Sequence, residues 1–155
     1  MIKILDHEMA WCRKLAEQRV ENTKAMGLEP NNINKTAFEA NLEGVVGELG
    51  FFKWMGVYPV MDRYIDKYDC LYRGKKVDVK CISSVSLNLM VNKEKRDNTE
   101  IVAFPLMIWL GDSVDLLGYG TPKQLFTVEN QLDWNGKRPA YMLNKDLLKK
   151  FDEQP

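Results

Sequence analysis

The run Tyr68-Asp69-Cys70-Leu71-Tyr72-Arg73-Gly74-Lys75-Lys76-Val77-Asp78-Val79-Lys80-Cys81-Ile82 switches to a period-two pattern around a glycine turn. That pattern predicts two strands, Tyr68 to Tyr72 and Lys76 to Ile82, joined by the tight turn Arg73-Gly74-Lys75. Side chains alternate along a strand, so Asp78 and Lys80 project from one face while Val77, Val79 and Cys81 turn toward the core. An aspartate and a lysine between apolar residues are costly to desolvate unless they pair or bind something. Asp69 lies on the preceding strand and, depending on the hairpin register, comes alongside Asp78. Two carboxylates that close repel, which raises one pKa unless a cation lies between them. Oxygen-only ligands point to magnesium or manganese, not zinc. The competing explanations are a cross-strand ion pair of Asp78 with Lys80 on an exposed sheet face, and a turn-capping role for Asp69.

Upstream, residues 6–26 place Leu5, Met9, Cys12, Ala16 and Val20 at three-to-four spacing, an amphipathic helix ended by Gly27 and sealed off by Pro30. Gly27 to Lys35 reads as a linker. Thr36-Ala-Phe-Glu39 fits a capping box and starts a second helix over Ala37 to Met55. On its wheel Leu42, Val45, Val46, Leu49 and Phe52 form an apolar stripe with Glu48 at the edge, leaning toward the sheet. Glu43, ~140° away, reads as a solvent residue, and a helix-surface role is the alternative for Glu48 too. Gly44 and Gly47 each cost up to ~1 kcal/mol against alanine in a helix, so a strand or a phosphate backbone is expected to approach there.

Downstream, Ile101 to Leu110 and Val114 to Tyr119 predict a hairpin across Gly111-Asp112. Thr121-Pro122 opens a short helix to about Val128, with Thr121 as N-cap. Asn135-Gly136 marks a turn, Ala140 to Leu143 a strand, and Asn144 caps a final helix to about Phe151. Within 83–100, Leu87 to Val91 is compatible with a strand and Asn92 to Glu100 with a polar loop. Helices on a mixed sheet give an α/β or α+β class. The chain reads as one domain: an N-terminal helix and linker over 1–30, a core over 36–128, and a C-terminal strand and helix over 129–155. Trp54, Phe104 and Trp109 read as core. The basic cluster Lys93, Lys95 and Arg96, with Arg73 and Ser83 nearby, is the candidate phosphate-contacting surface, against the simpler expectation of a solvated loop.

The 155 residues are 45% hydrophobic and 28% charged, an ordinary globular profile, with no run of ~18 apolar residues that would span a membrane. The N-terminus lacks signal-peptide anatomy, and Cys12, Cys70 and Cys81 have no zinc-like spacing. A cytoplasmic setting with reduced thiols is expected. Net charge is zero, so any nucleic-acid binding must rest on local patches and on a metal that offsets the acids. The single histidine, His7, rules out mechanisms built on paired histidines and leaves carboxylates and lysine to do any chemistry.

Gly44-Val-Val-Gly47-Glu48, then Asp69, then Asp78-Val-Lys80 resembles the PD-(D/E)XK nuclease superfamily, which includes type II restriction enzymes, archaeal-type Holliday-junction resolvases and phage nucleases. The resemblance covers about residues 36–120. It implies a restriction-endonuclease-like mixed sheet flanked by helices, here with an extra N-terminal helix, whose core runs helix, three-stranded meander, helix, strand. It implies magnesium-dependent hydrolysis of DNA phosphodiesters, with manganese as a substitute, and by analogy a homodimer. Asp69 and Asp78 would ligate the metal, Glu48 would hold metal or water, and Lys80 would orient the attacking water. Tyr68 stands where the family name has proline, and the second hairpin leaves little room for the usual second helix. No glutamine-tyrosine motif of the exonuclease branches is present, so endonuclease is the expectation. The alternative is an inactive module of this fold that binds nucleic acid or a protein.

Overall fold

A computed structural model of the chain describes residues 1–27, 35–59, 61, 68–132 and 139–152. After the short strand β1 (Ile2–Lys3) comes helix α1 (Asp6–Ala25), where Glu8 reaches back to accept from the Leu5 amide. Helix α2 (Ala37–Met55) begins at the expected capping box: Glu39 N–H donates to Thr36 Oγ1 at 3.2 Å and Thr36 N–H to Glu39 Oε2 at 2.7 Å. It ends at Gly56, whose φ of +68° is a left-handed cap that favours glycine. The second half of α2 is buried on nearly every side, because it lies between α1 and the sheet.

The main sheet runs β1-β7-β6-β3-β2, with β2 at Cys70–Tyr72, β3 at Lys75–Val77, β6 at Ile101–Leu110 and β7 at Ser113–Gly120. Strand β4 (Lys80–Ile82) also pairs with β6. A second, antiparallel sheet joins β5 (Leu89–Asn92), β9 (Ala140–Leu143) and β8 (Gln131–Leu132). The expected hairpin β6–β7 and strand β9 are present, and the architecture is mixed α+β. β6 is the central strand. Ala103 and Met107 join the apolar cluster under α1 and α2, while Phe104, Leu106 and Ile108 join a second cluster under the small sheet and helix α3 (Pro122–Leu125). Burial on both faces explains why β6 reads as a continuous apolar run.

The structure departs from the sequence expectations in four places. The strand Lys76 to Ile82 is interrupted at Asp78 and Val79. Both halves stay parallel to β6; after a register shift between Lys76 and Val77, Val77 lies beside Ala103 and Lys80 beside Leu106, and Asp78 N–H donates to the Ala103 carbonyl. In such a ladder the Asp78 carbonyl would accept from residue 105, which is Pro105 and has no N–H. The missing donor opens the strand there. Next, β2 and β3 are antiparallel but β3 and β6 are parallel, so the implied meander is not formed. Residues 83–100 supply the crossover that parallel pairing needs, and they include β5 and a 3₁₀ turn over Lys93–Asp97. The helix opened by Thr121 stops at Leu125.

Finally, the C-terminal helix shrinks to one 3₁₀ turn, Lys145–Leu147, capped by Asn144 as expected. The next residues leave the helix because Lys149 pairs with Tyr119 of β7 through two 2.9 Å bonds. Phe151 then packs among Tyr119, Trp54 and Tyr72, with ring centroids 4.5, 4.9 and 5.1 Å away. Most of the 27–35 linker and the Asn135-Gly136 turn lie outside the described residues.

Candidate functional site

Where β2, β3 and β4 run beneath α1 and α2, a cavity of about 820 Å³ is lined by Glu48, Asp69, Asp78, Lys80, Lys95 and Arg19, among others. The β2–β3 pairing ends at Cys70 beside Val77; Asp69 N–H donates to the Val77 carbonyl, and the Asp69 carboxylate comes within electrostatic reach of Asp78. Val79 N–H, which points away from β6, donates to Asp69 Oδ2 at 2.6 Å and fixes that carboxylate at the cavity wall.

Asp78 is nearly sealed, with a side chain 2% exposed. Its Oδ1 accepts from Lys95 Nζ at 2.7 Å, and its Oδ2 forms an ion pair with Lys80. Burial acts to raise the Asp78 carboxyl, but the two ammonium groups outweigh it and hold the group below its ordinary value. Burial likewise acts to lower Lys80, and the Asp78 and Asp69 charges outweigh it in turn. Asp69 has no such partner: none of the described residues forms an ion pair with it. Burial, then the nearby Glu48 and Asp78 charges, push it up to about 7.

Glu48, which the wheel put at the stripe edge, is buried, and both its oxygens are taken. Arg19 Nη1 and Nη2 donate to Oε1 and Oε2 at 2.7 and 2.8 Å, a bidentate fork that ties α1 to α2. Arg19 was not singled out from the sequence. The available signal was a charge on the buried side of α1, three residues after Ala16 and seven after Cys12, both fully buried. Glu43 is not a solvent residue. Its side chain is 14% exposed, it pairs with Lys35, and it lines this cavity. The physical reason is that α2 is covered on two sides, so the polar side of its wheel faces the cavity mouth instead of open water.

The basic residues separate. Lys95 enters the acidic cluster. Lys93 and Arg96, from the same 3₁₀ turn, do not line the cavity, and Arg96 donates to Tyr141 Oη at 3.1 Å. Arg73 sits at the exposed turn of the β2–β3 hairpin with its guanidinium 5.4 Å from the Tyr72 ring centre. Ser83 accepts from Lys35 Nζ at 3.1 Å, outside the cavity lining. Gly47 faces β4: a Cβ there would lie 2.5 Å from that of Cys81, so the expected close approach is a strand. Nothing lies within 4 Å at Gly44, which borders the cavity.

Among the described residues no group of three or more Asp, Glu, His or Cys side chains stands in metal-holding positions. The acids are interleaved with Arg19, Lys80 and Lys95 instead. Asp69, raised first by burial and then by the Glu48 and Asp78 charges, is the carboxylate of this cluster with no cation paired to it among the described residues. No described helix is long and apolar enough to cross a membrane. Comparison with protein-family models, with curated proteins and with solved structures finds no match.

Proposed function

We infer that this chain is a metal-dependent DNA nuclease, an endonuclease of restriction-endonuclease-like build, working in the cytoplasm and as a homodimer. The observation that carries this reading is that Glu48, Asp69, Asp78 and Lys80, which resemble the nuclease motif in order and in their helix and hairpin setting, all face one cavity. Asp69 and Asp78 are the residues to hold Mg²⁺ or Mn²⁺, which when bound supplies a water of lowered pKa and a positive charge for the phosphate. Lys80, kept protonated by the acids around it, holds the attacking water in line and meets the negative charge that develops on the phosphoryl oxygens. Val79 N–H keeps the Asp69 carboxylate aimed into the site. Lys93, Arg96 and Arg73 lie on exposed segments from which they reach the DNA backbone.

Incubating the chain with plasmid DNA tests this. Cleavage is expected with Mg²⁺ or Mn²⁺, and is expected to stop in EDTA and in Lys80→Ala or Asp78→Ala proteins that remain folded. Cutting in EDTA, or by both variants, overturns the reading. A second reading is a non-catalytic module, favoured by the internal charge compensation of Asp78 by Lys80 and Lys95 and of Glu48 by Arg19. Mn²⁺ calorimetry separates the two, since the module shows no heat of binding at this site.

A further inference from the structure

The residues that line the cavity change in character from its buried end to its mouth. Glu48 and Asp78 are buried, and Arg19, Lys80 and Lys95 already neutralise them. Thr23 of α1 and Asn41 of α2 add uncharged polar groups to the wall. Val57, Tyr58 and Leu71 line the same cavity, and all three are exposed, Tyr58 at 85%. Apolar side chains gathered at the mouth of a polar cleft mark a place where a ligand lies. The cavity volume of about 820 Å³ falls within the range of roughly 300–1,000 Å³ that holds a small organic group.

Charge limits how DNA can be held here. The chain carries 22 acidic and 22 basic residues, and the cations of the cavity are paired with its acids, so neutralising phosphates contributes little to affinity. Contacts to the bases must supply the rest. In a matched duplex the bases are stacked inside the helix, out of reach of a recessed site. An unpaired base needs what this cavity offers: an aromatic face to stack on and polar groups for its edge. Resting on the nuclease reading above, we propose that the cavity takes one unpaired nucleotide, with its base against Tyr58 and its edge toward Thr23 and Asn41. The substrate is then single-stranded or locally opened DNA, because extruding a base costs least where the base is already unpaired. Supercoiled plasmid remains a substrate, since its underwinding favours local opening.

Fluorescence anisotropy of the full chain in EDTA tests the proposal without involving any metal. The probes are one mixed-sequence DNA oligonucleotide as a single strand, as a matched duplex and as a duplex with one bulged base. The single strand and the bulged duplex are expected to bind at least about tenfold tighter than the matched duplex. Tyr58→Ala is expected to weaken both by roughly tenfold, the loss of one stacked base, and Tyr58→Phe to restore them. Because Tyr58 is exposed, both variants should keep the thermal denaturation of wild type, which separates lost stacking from lost fold. A matched duplex bound as tightly as the single strand or tighter, or no effect of Tyr58→Ala, overturns the proposal and leaves the nuclease reading intact if plasmid is still cut with Mg²⁺. Absence of binding to all three probes also overturns it, and if plasmid is not cut either, both readings fall.

Discussion

Arg19 and Glu48 tie α1 to α2 through two parallel hydrogen bonds, and they predict a non-additive pair of substitutions. Arg19→Ala leaves a buried carboxylate unpaired and should cost about 3 kcal/mol in urea denaturation. Replacing both residues, as Arg19→Met with Glu48→Gln, should recover more than half of that loss. Equal losses for single and double variants would mean that the fork contributes little. Asp69 predicts a pH dependence. Its carboxyl is raised in the fold, so between its ordinary value of 3.8 and about 7 the folded chain holds a proton that the unfolded chain has released. Stability therefore falls as pH rises through that window. Asp69→Asn should remove this decline, leaving the variant more stable than wild type at pH 8 by roughly 1–3 kcal/mol, and the difference should fade by pH 5. Asp78 has the opposite sign: its ion pairs stabilise the fold above 3.8 and are lost as pH falls below it. At this scale, the expectation that Asp78 and Lys80 share a side agrees with their ion pair at one cavity, although the strand that was to impose it is interrupted at Asp78. Arg19 and Lys95 were harder to place, because each reaches its carboxylate across 29 and 17 residues of chain and no local period reports a long-range pair.

Helix α2 offers a paired test of what glycine does in an element. Gly47→Ala would force its methyl against the Cβ of Cys81 in β4, and thermal denaturation should show a loss of about 1–3 kcal/mol. Gly44→Ala meets open space and should gain up to about 1 kcal/mol from helix propensity. A gain at both positions would show that α2 is not pressed against the sheet there. Elements with strong local signals were legible: the capping box of α2 and strands β6 and β9 to the residue, and β7 to within one residue at each end. Those misjudged depend on a partner far along the chain. The strand over Lys76 to Ile82 is opened by Pro105, and the last residues join β7 instead of continuing a helix. The sign of the β3–β6 pairing followed from whether 83–100 was a loop or a crossover, which its composition left open.

On the scale of the whole molecule, 22 basic and 22 acidic residues leave no net field to draw in DNA. The dependence of log affinity on log salt should therefore have a slope no steeper than about −4, measured by anisotropy on a short duplex, whereas a steep slope would reveal a basic surface. Helix α1 is not an appendage: Cys12, Leu15 and Ala16 sit in the main core and Arg19 in the site. A fragment starting at residue 36 should lack a cooperative melt by circular dichroism. Pro105, buried in β6, contributes no group to the cavity, yet its missing hydrogen leaves the Asp78 carbonyl without a ladder donor and opens the strand beside the site. In a map of mutational tolerance, position 105 should therefore behave like an active-site position. Most substitutions there, even ones that fit a strand well, would restore the donor and let the ladder close over the gap.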